Sequence, residues 1–107
     1  EDDFAYFVDE HASAGFSGGL NWYRSVDHTW ATNAPWADRP VTVPSLFIAG
    51  EHDCVLQMRG EGALDVMRAN VADLRGVHIV PGEGHTVQLE APDAVNRCLL
   101  DFLATLM

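Results

Sequence analysis

The second half of the sequence predicts an α/β fold with a parallel sheet, from two apolar runs and the helical patterns that follow them. Apolar runs typical of buried strands cover residues 43–50 and 77–80, and each stops at a glycine-containing turn. A helical pattern follows each run, and such strand–helix alternation favours parallel strands covered by helices. Two strands leave edges and faces of a parallel sheet uncovered, so we expect the sheet to continue outside these 107 residues.

Helical spacing dominates the beginning of the chain. Asp2 and Asp3 precede apolar residues spaced as on one helix face, which predicts a short helix with acids near its positive end. The glycines in residues 13–19 are expected to end it. Residues 20–32 repeat the helical spacing and predict a second helix.

A connector then divides the chain. Residues 33–44 contain three prolines and several turn-forming polar residues, a composition typical of a boundary. We therefore expect two parts, residues 1–36 and residues 37–107.

The second part is predicted to contain two helices, with a strand between them. Residues 57–74 carry an apolar stripe at helical spacing, and Gly76 is predicted to stop that helix. The strand over 77–80 leads into a turn rich in glycine. Pro92 is a favourable first helical residue, and the helix is predicted to run to residue 106.

Composition excludes several classes of partner. The net charge is −10, with six arginines and no lysine, so nucleic acid and anionic membrane surfaces are unfavourable partners. A hydrophobic fraction of 48% indicates a globular domain. No apolar run approaches the roughly 20 residues of a spanning helix. The chain opens without methionine or a signal-peptide pattern, which suggests a cut from something longer.

The two cysteines predict free thiols and a reducing cytoplasm. Cys98 lies on the apolar stripe of the last helix, and Cys54 follows Asp53 directly, where it could line a site. The histidines show no His-Glu-x-x-His or other metal-ligand spacing, so we expect neither metal nor cofactor.

Two polar residues follow the two predicted strands. Asp53 and His85 are expected to meet, because parallel strands present their carboxyl ends at one edge of the sheet. An aspartate that orients a histidine, and a histidine that activates water, form two parts of a nucleophilic relay. The structural alternatives stay open: Asp53 as a turn former or helix N-cap, and His85 as a loop residue.

The sequence gives weaker signals for a nucleophile and for an oxyanion donor than for Asp53 and His85. No serine lies in a Gly-x-Ser-x-Gly elbow, so the chain offers no convincing nucleophile. The phenol of Tyr23 could donate to an oxygen that gains negative charge. The alternative is a core tyrosine with its hydroxyl at the surface.

A series of segments resembles the carboxyl-terminal part of epoxide hydrolases of the soluble type, which have the α/β-hydrolase fold. The sharpest is Gly-Leu-Asn-Trp-Tyr-Arg at 19–24, which is similar to a lid segment with one of that family's two ring-opening tyrosines. The others, in chain order, are Trp30 with Ala-Pro-Trp at 34–36, 43–53, Gly-Glu-Gly-His at 82–85, Gln-Leu-Glu-Ala-Pro at 88–92, Val95-Asn96 and Leu-Asp-Phe-Leu at 100–103.

The resemblance implies a fold and a mechanism. Residues 1–36 would be the end of the helical lid, and residues 37–107 the last strands and helices of the core. In the family an aspartate attacks the epoxide, tyrosines protonate its oxygen, and a histidine held by a second acid activates water to release a vicinal diol. Tyr23, His85 and Asp53 would take the last three roles.

Substrate and partners follow from the same resemblance. A small-molecule epoxide and water are the implied reactants, and Trp22 is a candidate for contact with the substrate. Core packing is the alternative role for Trp22. A homo-oligomer stays open.

Departures from the family leave alternatives. The nucleophilic aspartate, its elbow and the second tyrosine have no counterpart here, so we expect the chain alone to be inactive. Cys54 stands where the family often has proline. A dehalogenase or esterase fragment on the same fold, or a binding domain without catalysis, remains the competing interpretation.

Overall fold

The computed structural model describes residues 2–60 and 62–107, which form two compact units. The first unit ends at Asp38 and the second runs from Arg39 to Met107. Glu1 and Glu61 lie outside the described residues, although the predicted first part and the predicted helix over 57–74 include them.

The described residues of the first unit form three α-helices, α1 (Asp2–Ala14), α2 (Ser17–Arg24) and α3 (Val26–Asn33), followed by a 3₁₀ turn (Ala34–Trp36). The prediction of one helix over 20–32 is wrong, because Ser25 divides it. The Ser25 hydroxyl donates to the Trp22 carbonyl oxygen at 2.9 Å. Serine commonly competes in this way with the backbone ladder of a helix.

Apolar side chains of the first unit are exposed. No described residue between 2 and 38 is buried within the unit. Phe4, Trp22 and Trp30 are 73%, 77% and 78% exposed. These helices therefore have no core of their own.

In the part of the second unit that the structure describes, two parallel strands form the sheet, β1 (Ser45–Gly50) and β2 (Leu74–Val80). The α/β prediction with a parallel strand pair is confirmed. However, β2 begins three residues earlier than predicted, so Gly76 lies inside the strand opposite Leu46 instead of stopping a helix. A Cβ at Gly76 would stand 2.8 Å from Leu46 Cδ1, so glycine leaves room for that leucine.

Helices connect and cover the strands. Two helices, α4 (Cys54–Arg59) and α5 (Ala63–Asn70), replace the single helix predicted over 57–74. Gly60 and Gly62 separate them with φ angles of 73° and 95°, a left-handed conformation that an α-helix cannot continue through.

The remaining helices form the small core. A short helix α6 (Val87–Glu90), which the sequence pattern did not predict, precedes α7 (Pro92–Ala104). Both pack against β1, and Ala49, Val87 and Val95 are buried. No helix among the described residues is both long and apolar enough to cross a bilayer.

Candidate active site

The carboxyl ends of β1 and β2 bring an acid and a histidine together. Gly50, the last residue of β1, pairs with Val80, the last residue of β2. Asp53 and His85 follow these ends, and His85 Nδ1 lies 3.1 Å from both carboxylate oxygens of Asp53. The predicted contact is therefore present, between residues 32 positions apart in the sequence.

Asp53 is held from two sides. Its Oδ1 accepts the Val55 backbone N–H at 2.7 Å, so it also caps α4. The residue is only 9% exposed. Burial alone would raise the pKa of its carboxyl, but the hydrogen bonds from His85 and from the Val55 backbone lower that pKa below its ordinary value. The N-cap role and the role of histidine partner thus belong to one side chain.

The contact with Asp53 assigns the tautomer of His85. A carboxylate can only accept hydrogen bonds, so Nδ1 carries the proton and Nε2 of the neutral ring is the basic atom. The His85 side chain is 62% exposed. The arrangement orients a histidine that can accept a proton through Nε2.

Carboxylates fasten the loop that carries His85. Glu51 Oε2 accepts the Gly82 N–H at 2.9 Å. The Glu90 carboxylate accepts the N–H of Gly84, and its Oε1 accepts the Thr86 N–H at 3.0 Å and the Thr86 hydroxyl at 2.5 Å. Glu90 therefore holds both residues that flank His85.

Glu90 is a site residue that sequence reasoning missed. The hydrogen bond from the Thr86 hydroxyl, with those from the Gly84 and Thr86 amides, lowers the pKa of its carboxyl. The available signal was a threonine four residues before a glutamate. A capping box has a spacing of three, so that pattern does not reveal this contact.

Close backbone packing completes the loop. The His52 N–H donates to the Glu83 carbonyl oxygen at 2.8 Å. A Cβ at Gly50 would collide with the carbonyl oxygens of Glu83 and Gly84. Glycine at the end of β1 is what allows the histidine loop to approach this strand.

An apolar cleft of about 350 Å³ lies beside the pair. Asp53 and His85 line it, together with apolar side chains from β1, α4 and α5 that include Phe47, Leu56 and Met67. Polar groups converging on an apolar cleft are the usual form of a small-molecule site.

The other two candidates belong to the first unit. Tyr23 and Trp22 are neighbours on α2 and are 74% and 77% exposed within the described structure. Trp22 lines a groove of about 360 Å³ with Val26 and Trp30 of α3. The contact between Asp53 and His85 lies wholly within the second unit and includes neither of them.

The chain was compared with known protein families and known proteins. No protein-family profile matches it. It is 38% identical to epoxide hydrolase A of Mycobacterium tuberculosis over 99% of the chain and 32% of that protein. It is 34% identical to epoxide hydrolase 1 of Siraitia grosvenorii over 96% of the chain and 34% of that protein.

Solved structures agree with these relatives. Epoxide hydrolase I of potato superposes with a TM-score of 0.88 at 30% identity, and a mutant of the Vigna radiata enzyme with 0.89 at 32%. Each covers 98% of the chain, which covers 34% of each. By sequence and by structure, this chain is similar to part of proteins described as epoxide hydrolases. It spans about a third of the length of the epoxide hydrolases that it matches, and the resemblance to a carboxyl-terminal part of that family is confirmed.

Proposed function

We propose that this chain supplies the water-activating half of an epoxide hydrolase that converts epoxides to vicinal diols. The observation that carries the proposal is the contact of His85 Nδ1 with the Asp53 carboxylate beside an apolar cleft. In a chain related to epoxide hydrolases, that contact supports His85 as the base and Asp53 as its orienting acid.

The proposed reaction has two steps. A carboxylate that this chain does not contain attacks an epoxide carbon, the C–O bond breaks, and the oxygen takes a proton from a phenol such as that of Tyr23. The product is an ester with a free hydroxyl. His85 Nε2 then takes one proton from water as the water oxygen attacks the ester carbonyl. The ester C–O bond breaks, the second proton of the water goes to the released diol oxygen, and the carboxylate is restored. The proton held by His85 finally replaces the one that the phenol gave up.

The two units would then be the end of the lid and the end of the hydrolase core. Tyr23 and Trp22 fall in the proposed lid, where Tyr23 protonates the epoxide oxygen and Trp22 contacts the substrate. The 107 residues offer no convincing nucleophile, so we expect no diol from the chain alone. The proposed enzyme is cytoplasmic and needs no cofactor. A homo-oligomer of the full protein is compatible with this proposal.

The test is a His85→Gln variant of the full-length protein that contains this sequence. Without the base, the ester should form but not hydrolyse. Mass spectrometry after mixing with an epoxide should show the protein heavier by one substrate molecule, with diol release reduced roughly 100- to 10,000-fold. His52→Gln, which changes a neighbouring histidine, is the matched control and should turn over without accumulating ester.

Other results would identify a different activity. Halide release from a haloalkane, without diol formation from epoxides, would replace the proposal with a dehalogenase. Hydrolysis of simple esters alone would replace it with an esterase. A full-length protein that binds an epoxide and never reacts with it would support the binding-domain interpretation.

A further inference from the structure

We propose that Asp53, Cys54 and His85 form a binding site for a zinc-like divalent cation, and that the bound ion blocks His85. Among residues 2–60 and 62–107, these three side chains each offer one ligand atom, all within 4.8 Å of one another. Sequence spacing did not predict a metal site, because His85 lies 31 positions beyond Cys54. The parallel strand pair brings them together.

One pair of these ligand atoms already stands near the separation that a zinc ion needs. Zinc bonds of about 2.1 Å to nitrogen and oxygen place those two atoms roughly 3.4 Å apart in a tetrahedron. Asp53 Oδ2 and His85 Nδ1 are 3.1 Å apart. The thiol needs a separation of roughly 3.6 Å from either atom. The Cys54 Sγ lies within 4.8 Å of both and belongs to an exposed residue without a disulfide, so we expect the thiol to move closer when the ion binds.

The donor set selects the class of ion. Oδ1 of Asp53 already accepts the Val55 N–H, which leaves Oδ2 for a cation. One thiolate, one imidazole and one carboxylate suit zinc, cadmium or cobalt, whereas magnesium and calcium prefer oxygen ligands. Three protein ligands leave the fourth tetrahedral position for water.

Binding rearranges protons. The Cys54 thiol must release its proton to solvent, since only the thiolate is a good ligand. His85 binds through Nδ1, so the proton that Nδ1 donates to Asp53 has to move to Nε2. The atom proposed to accept a proton from water is then already protonated. This consequence for catalysis rests on the proposed function, but ion binding does not.

Cobalt(II) is the probe for binding, used with the full-length protein. A thiolate ligand produces a near-ultraviolet charge-transfer absorption. We expect that absorption in the wild type and in Cys98→Ala, the matched control at the other cysteine. Cys54→Ala should lose it and bind cobalt at least tenfold more weakly, and Cys54→Ser guards against a folding defect in the alanine variant. The same absorption in folded Cys54→Ala, or none in the wild type, would overturn the site.

Zinc inhibition tests the consequence. Each variant is compared with its own metal-free rate of diol formation. Zinc should inhibit the wild type and Cys98→Ala at concentrations at least tenfold lower than Cys54→Ala, and magnesium should not inhibit any of them. Equal sensitivity of all three proteins to zinc would refute inhibition through the site that contains Cys54. Cobalt binding without any diol formation would leave the ion site standing and remove the proposed function instead.

Discussion

The two units of this chain differ in what holds their candidate catalytic groups in position. In the second unit, hydrogen bonds within the unit hold both Asp53 and the loop that carries His85. In the first unit Tyr23 is exposed on a helix, and none of the described residues 2–38 is buried. The contact between Asp53 and His85, which we propose activates water, is therefore positioned by its own unit. The phenol needs contacts that its unit does not provide.

The largest expected effect comes from breaking the self-contained pair. Asp53→Asn in the full-length protein should reduce diol formation roughly 100- to 10,000-fold, because an amide can donate to Nδ1 and favour the wrong tautomer of His85. Steady-state kinetics measures the loss. Asp65→Asn is the control. Asp65 forms an exposed ion pair with Arg68 on α5, so this variant should keep near-normal activity. Equal losses in both variants would contradict a special role for Asp53.

The second prediction concerns the close approach of β1 and the histidine loop. Gly50→Ala places a methyl group against the carbonyl oxygens of Glu83 and Gly84. Forcing the loop away should lower the free energy of unfolding by roughly 3 kcal/mol, and activity should fall with it. Urea unfolding of the full-length protein measures the change. A variant as stable as the wild type would mean that the loop can yield at little cost.

Tyr23→Phe tests the exposed half of the comparison. The variant removes one proposed donor and leaves the ring, so the rate of ring opening should fall roughly 10- to 100-fold, less than for a sole donor. Pre-steady-state formation of the ester is the measurement. Tyr6→Phe changes the other tyrosine of this unit, on α1, and serves as the control. An unchanged ring-opening rate in Tyr23→Phe would remove Tyr23 from its role.

Glu90→Gln probes the positioning of His85 without touching it. The amide keeps one oxygen acceptor but loses the charge and the second acceptor, so kcat should fall a few-fold to roughly tenfold with little change in KM. Glu10→Gln, an exposed glutamate on α1, is the control. The pH profile separates positioning from general damage, because a change of the His85 environment should move the acidic limb of kcat.

The lowered pKa of Glu90 also fixes the sign of its contribution to stability. Its ordinary value is 4.5 and the folded value is lower, so its stabilisation is complete above pH 4.5 and is lost as pH falls through the folded value. The pKa of the Asp53 carboxyl is lowered as well. At equal ionic strength, acid unfolding should therefore begin at a higher pH in Asp53→Asn and in Glu90→Gln than in the wild type. Coincident acid transitions in all three proteins would contradict this.

The sequence predicted the pair and not its supports, for a physical reason. Buried parallel strands are apolar over their length, so their ends, and with them Asp53 and His85, are visible in the sequence pattern. Arg75 and Gly76 break the apolar pattern of β2, so the sequence did not reveal its early start. The extra residues belong to the strand because they pair with β1. The hydrogen bonds of Glu90 depend on the path of a turn, which hydrophobic periodicity does not encode.

The helix break after α4 has the same kind of cause. The apolar stripe over 57–74 fits a helix, yet Gly60 and Gly62 adopt left-handed φ angles and end it. Glycine permits this conformation without requiring it, so its presence in a helical pattern did not decide between continuation and a break. Tyr23 stays a prediction, because its proposed partner atoms belong to a substrate and not to this chain.

The smallest expected effect distinguishes the units most directly. Gly19 lies in α2, and a Cβ there would meet nothing within 4 Å among the described residues. Alanine has the better helix propensity, so Gly19→Ala should stabilise by about 0.5–1 kcal/mol where Gly50→Ala destabilises. Urea unfolding of the full-length protein gives the sign. A destabilised or less active Gly19→Ala protein would show that this face of α2 is closely covered in the full protein, so that Tyr23, one turn further along the helix, is also held in place there.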